Sequence, residues 1–97
     1  MAHTPVHPGD LLADKLNKFG MNATELAREI HVPPNRISQI VARKRAVTAD
    51  TALRLGKWFG TSPHLWLKLQ QAYELYLARQ KISSLLEEIS SLEASQR

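Results

Sequence analysis

The chain has 97 residues, room for one small domain and not for two. Its composition, 43% hydrophobic and 23% charged, is that of a folded globular protein, and its apolar runs fall far short of the roughly 18–20 residues that cross a bilayer. There is no cysteine, which excludes disulfides, thiolate zinc sites and cysteine nucleophiles, and the formal net charge of +4 is concentrated, with six Lys or Arg against one acid within residues 34–57.

Residues 1–7 hold a proline and no periodicity and are expected to form a flexible N-terminal arm. A first helix is predicted from Pro8, whose missing N–H and fixed φ suit a first helical position, with Asp10 at the positive end of the dipole. Leu11, Leu12, Leu16 and Phe19 form its buried stripe, and Gly20 is its left-handed stop. Asn22 followed by Glu25 reads as a capping box for a second helix, which buries Leu26, Ala27 and Ile30 and ends near His31. Val32, Pro33 and Pro34 force a turn, and a third helix restarts at Pro34 on the spacing of Ile37, Ile40 and Val41. Arg43, Lys44 and Arg45 follow as a basic loop. Thr48 caps a fourth helix that Gly60 closes, and Ser62-Pro63 opens a fifth. No Gly or Pro follows Pro63, so one long helix is predicted to the C-terminal end, with the polar residues 93–97 disordered. The fold class is all-α, with five helices and short connections.

Helices two and three, both short and joined by a tight turn, have the arrangement of a helix-turn-helix. Such helices cross steeply and need a small residue at their approach, which Ala27 supplies; Leu26, Ile30, Val32, Ile37 and Ile40 hold the apolar offsets around it. His31 stands where glycine usually does, and histidine is among the residues that tolerate positive φ best, so a small strain is expected there. With Ile37, Ile40 and Val41 turned inward, Asn35, Arg36, Ser38 and Gln39 project outward. Arginine suits guanine, and Asn or Gln adenine, in the major groove of double-stranded DNA. The basic loop beside them suits the phosphates.

The stretch from His7 to Tyr73, with HPGDLL, TELAREIHVPPNRISQI and RAVTADTALRLGKWFGTSPHLWLKLQ, resembles the HigA antitoxins, a branch of the Xre or lambda-repressor-like helix-turn-helix proteins. The resemblance covers two thirds of the chain, and the segment after Arg45 is its more diagnostic part. It implies a dimeric repressor of its own operon that also neutralises a HigB-like toxin, a small ribonuclease acting on messenger RNA. It assigns base reading to Asn35 and Gln39, sets Arg36 between base and phosphate, and places Asn22, Lys44 and Arg45 at the backbone. Pro33 and Pro34 depart from the polar residues common in the family, and Arg43 from a common glycine, so the operator sequence is not transferable from relatives. On this reading Asn35, Arg36, Ser38 and Gln39 read bases while Asn22, Arg43, Lys44 and Arg45 grip phosphate. The expected division is an arm over 1–7, a DNA-binding domain over 8–78, and a helical extension with a polar tail over 79–97.

A helix-turn-helix dimer reads half-sites about 34 Å apart, so some element must fix two copies at that spacing. Leu75, Ala78, Ile82, Leu85, Ile89 and Leu92, with Leu86 beside them, form a three-four spaced seam expected to be a dimer or partner interface. The stripe either pairs with another chain or folds back on its own domain, and the charges along it do not settle an orientation. Catalysis has no motif: there is no glycine-rich phosphate loop, no nucleophile with a base and no paired carboxylates. His3, His7, His31 and His64 are scattered, so no metal or cofactor is expected. A soluble, cytoplasmic, non-enzymatic protein is the expectation. Two other functions suit the same residues: a stand-alone or phage-type repressor without a toxin, and an interaction adaptor on a helix-turn-helix scaffold.

Overall fold

The computed structural model describes residues 4–96, so part of the predicted arm and the last tail residue lie outside it. The helices are α1 (Pro8–Lys18), α2 (Ala23–Glu29), α3 (Pro34–Val41), α4 (Ala49–Phe59), α5 (Pro63–Glu88) and a short α6 (Leu92–Ser95). No strand is present among the described residues.

The predicted punctuation sets the boundaries. Gly20 and Gly60 take positive φ, 63° and 70°, where the chain leaves α1 and α4. Asn22 accepts the Glu25 amide at 2.8 Å while Glu25 returns a bond to the Asn22 amide at 3.0 Å, closing the capping box. Ser62 Oγ accepts the His64 amide at 3.1 Å at the start of α5. Thr48 is the residue before α4, yet its side chain makes no cap bond, and its hydroxyl meets that of Thr51 at 3.5 Å instead.

The core joins α2 to α3, α4 to α5, and α1 to both α3 and α5. Leu12, Leu26, Ala27, Ile37, Ile40, Leu55 and Trp66 are buried in one cluster. Each of the large ones contributes about 1.5–3 kcal/mol by leaving water. Phe19 was expected in the stripe of α1 but is exposed, because it lies past the last helical turn, beside Phe59.

Three further expectations are corrected. The N-terminal arm is not loose at its end: His7 is 3% exposed, its Nδ1 accepts the Gly9 amide at 2.8 Å, and its ring meets Tyr73 edge-on at 4.8 Å. Burial lowers the His7 pKa from its ordinary value, partly opposed by Asp10, while Arg43 lowers it further. The long terminal helix is also interrupted. Ile82 has non-helical backbone angles, φ −115° and ψ 17°, and Ile89 is extended, so the seam from Leu75 to Leu92 does not lie on one straight helix. The stretch that includes Glu93, Ala94 and Ser95 forms the turn α6, where disorder was expected, with Ser91 Oγ accepting the Ala94 amide. The distal part of α5 does not fold back: every residue from Leu77 to Gln96 is exposed, and the molecule is 59 Å long and 22–23 Å across.

Candidate nucleic-acid interface

The turn between α2 and α3 is built as its spacing predicts. Ala27 is fully buried where the helices meet, and its carbonyl accepts the Val32 amide at 3.0 Å. His31 carries the reversal at φ 60°, in the left-handed region where a Cβ is strained. A tie from α4 was not legible beforehand: Arg54 donates to the carbonyls of Ile30 at 2.8 Å and His31 at 3.2 Å, satisfying the end of α2. Arg54 counted in the sequence as part of the basic stripe, and here it serves the turn.

The position of α3 is set from behind by α1. A Cβ built on Gly9 would lie 2.0 Å from the Ile40 carbonyl oxygen, so the first turn of α1 touches the last turn of α3 backbone to backbone. Only glycine permits that approach. From this seat α3 buries Ile37 and Ile40 and leaves Asn35 and Ser38 exposed, with Arg36 and Gln39 half-buried at the flanks.

These outward side chains are not equally free. Asn35 makes no side-chain hydrogen bond among the described residues, whereas the Ser38 hydroxyl turns back to the Asn35 carbonyl at 3.3 Å. Gln39 Oε1 accepts from Arg45 Nε at 2.8 Å, joining the middle of α3 to the basic loop. Arg36 pairs with Asp50 at 2.7 Å, and Arg54 reaches the same carboxylate at 3.0 Å. Those two bonds, Arg54's foremost, hold the Asp50 carboxyl below its ordinary range.

The loop divides similarly. Arg43 stands at φ 62°, the left-handed position of the glycine it replaces, and its guanidinium grips both Asp10 oxygens, at 3.1 and 2.7 Å. That pair raises the Arg43 pKa and fixes the loop to α1, so Arg43 does not stand free as the sequence implied. Lys44 forms no ion pair among the described residues. Behind the loop, the Val47 amide donates to the buried Gln70 Oε1 at 2.8 Å, pinning it to α5. A hollow of ≈ 390 Å³ lies between loop and α4, lined by Arg36, Arg45 and Arg54 with Asp50 as its acid. Asn22 lies exposed at the start of α2, its oxygen engaged by the cap and its amide nitrogen open.

Among the described residues there is no cluster of metal-ligating side chains and no helix long and apolar enough to cross a membrane. The seam residues Leu75, Ile82, Leu85, Ile89 and Leu92 are all exposed in the single chain, and so is Ala78.

Comparison with known proteins gives concordant results. The helix-turn-helix family matches residues 12–66. The chain is 44% identical to virulence-associated protein I of Dichelobacter nodosus, over 82% of this chain and 75% of that protein. Its fold superposes with a TM-score of 0.87 on an addiction module antidote protein of the HigA family from Coxiella burnetii, 42% identical, covering 92% of this chain and 98% of that one. The Pseudomonas aeruginosa antitoxin HigA, solved with the higBA promoter, is 37% identical with a TM-score of 0.86, covering 91% and 98%. The two solved relatives are an antidote protein and an antitoxin, and the family is one of DNA-binding regulators and not of enzymes. The chain accordingly belongs to the helix-turn-helix family and, within it, to the HigA antitoxins.

Proposed function

We propose that this chain is a cytoplasmic, dimeric, sequence-specific DNA-binding repressor that serves as the antitoxin of a type II toxin–antitoxin pair. It represses its own operon and neutralises a HigB-like toxin that cleaves messenger RNA. The observation that carries the DNA half is the outward face of α3, where Asn35 is exposed and Gln39 is bonded to Arg45 of the basic loop, on a helix seated by α1 and α2. Support for the operon and toxin comes from kinship with HigA proteins, one of them solved with the higBA promoter. Asn35 and Gln39 read base edges, with Arg36 and Ser38 at their flanks. Lys44 and Arg45 hold phosphate, Asn22 adds a contact through its open amide nitrogen, and Arg43 acts chiefly by fixing the loop to Asp10. Residues 8–78, joined by His7, form the DNA-binding body, and residues 79–97 the extension. Leu75, Ala78, Ile82, Leu85, Ile89 and Leu92 supply the dimer or partner surface.

The test is a binding titration of the protein's own upstream region against a scrambled duplex, at two salt concentrations, with and without the product of the adjacent gene. Specific, salt-sensitive binding altered by that product is expected, together with loss of the product's ribonuclease activity in the complex. Specific binding with an inert neighbour would make this a stand-alone repressor. No sequence preference at either salt would leave an interaction adaptor.

A further inference from the structure

Two unpartnered apolar surfaces lie at opposite ends of the chain. One is on the body, where Leu53, Trp58 and Phe19 are 62%, 42% and 57% exposed. Leu53 and Trp58 line a hollow of ≈ 440 Å³ with Ile30, His31 and Lys57, and Trp58 continues into a second hollow with Phe19 and Met21. Its charged surroundings are mostly basic: Lys57 at the rim, Lys15 over the Phe59 ring at 5.2 Å and Lys18 over Phe19 at 5.7 Å, with Glu29 as the rim's acid. The other is the distal segment, where Ile89 and Leu92 are 68% and 73% exposed beside Leu85 and Leu86. Residues 83–96 carry Glu87, Glu88 and Glu93 and no Lys or Arg. The two surfaces are complementary in apolar character and in charge.

The middle of α5 supplies the means of bringing them together. Exposed Leu75 stands between Ala72 and Ala78, three residues to either side, so an antiparallel copy can seat Leu75 against Leu75 with each Ala72 facing the other chain's Ala78. A hollow of ≈ 660 Å³ runs along this face beside Ala72, Leu75 and Arg79. From Leu75 to the end of α5 is about 20 Å, and from Leu75 back to Pro63 about 18 Å, at 1.5 Å per residue. Measured along the chain, the distal segment of a copy paired in this way is long enough to draw level with the start of its partner's α5, next to the end of α4, where Phe59 lies near Trp66 at 6.0 Å and Trp58 is exposed.

We propose that two copies pair antiparallel about Leu75 and that the segment beyond the Ile82 kink of each, from Leu85 to Glu93, covers the Leu53–Trp58–Phe19 surface of the other. This rests on the dimeric reading above and adds the orientation, the exchanged segment and the surface that receives it. The kink at Ile82 turns the segment off the helix axis, and the extended Ile89 lets α6 lie across the partner. Glu93 then meets Lys57 of the other copy.

The absence of cysteine permits a direct test, because K57C and E93C each place one thiol on an exposed side chain of an otherwise thiol-free protein. The two single variants are mixed, oxidised and resolved on a non-reducing gel, with velocity sedimentation of each variant and of the parent chain. The expected result is a covalent dimer in the mixture at several-fold the yield of either variant alone. Cross-linking of E93C by itself overturns the proposal in favour of a parallel seam. No cross-link in any sample, with sedimentation reporting a dimer, overturns the exchanged segment and leaves the dimer standing. A monomer at all concentrations overturns both.

Discussion

Arg45 donates its Nε–H to Gln39 Oε1 at 2.8 Å, and this bond decides which end of the carboxamide faces outward. Arginine has no acceptor, so the Gln39 oxygen is directed to Arg45 and its amide nitrogen, a donor, is left for a base acceptor. Gln39→Ala should therefore cost about 1–3 kcal/mol at one base step and relax the preference there. Arg45→Ala should lose part of the same preference by releasing the glutamine. Titrations on duplexes altered one step at a time check this. An equal loss on operator and random DNA would remove Gln39 from base reading.

Lys44 and Arg43 are neighbours with different occupations. Lys44→Ala should weaken operator and random DNA alike and lower the slope of log affinity against log salt by about one. Arg43→Ala should leave that slope nearly unchanged and lower the thermal midpoint, because its guanidinium is held on Asp10. Salt titrations and melting curves on both variants separate the two roles, and an unchanged slope for Lys44→Ala would contradict its contact with phosphate.

The left-handed backbone of His31 predicts a stabilising substitution. His31→Gly removes a strained Cβ at φ 60° and keeps the carbonyl that Arg54 binds. The relief of about 1–2 kcal/mol exceeds the entropy glycine loses on folding, for a net gain of about 0.5–1 kcal/mol. A urea midpoint shifted downward would show that the imidazole makes a compensating contact.

His7 predicts an acid-sensitive fold. Unfolded, its imidazole takes up a proton as the pH falls through 6.5, whereas in the fold burial holds it neutral to lower pH. Its contribution is thus complete above pH 6.5 and is lost as the pH falls from there toward the lower folded value. Asp50, lowered from 3.8, adds a loss that begins only below that value. Denaturation midpoints between about pH 7.5 and 4.5 should decline in the parent chain and stay nearly level in His7→Asn, which keeps a capping oxygen without titrating.

The features legible in the sequence are those set by neighbours in the chain. The caps at Asn22 and Ser62, the stops at Gly20 and Gly60 and the reversal at His31 each follow from a residue's own backbone preference or from a partner within three positions. What stayed hidden depends on distant partners. His7 looks like part of a loose arm until Tyr73 packs against it, and the basic stripe looks like free charge until Asp10 and Asp50 engage three of its arginines. The break at Ile82 has no Gly or Pro to announce it, since the distal residues lack the tertiary contacts that would hold a helix straight.

The contact of Gly9 with the Ile40 carbonyl bears on how such a protein can acquire a new operator. Because α3 is braced there by main chain, its tilt on the body is insulated from changes among the side chains it displays. On the proposed reading, Asn35 and Gln39 can be exchanged like type in a fixed frame, and the spelling of the target can drift while the angle of docking is inherited unchanged.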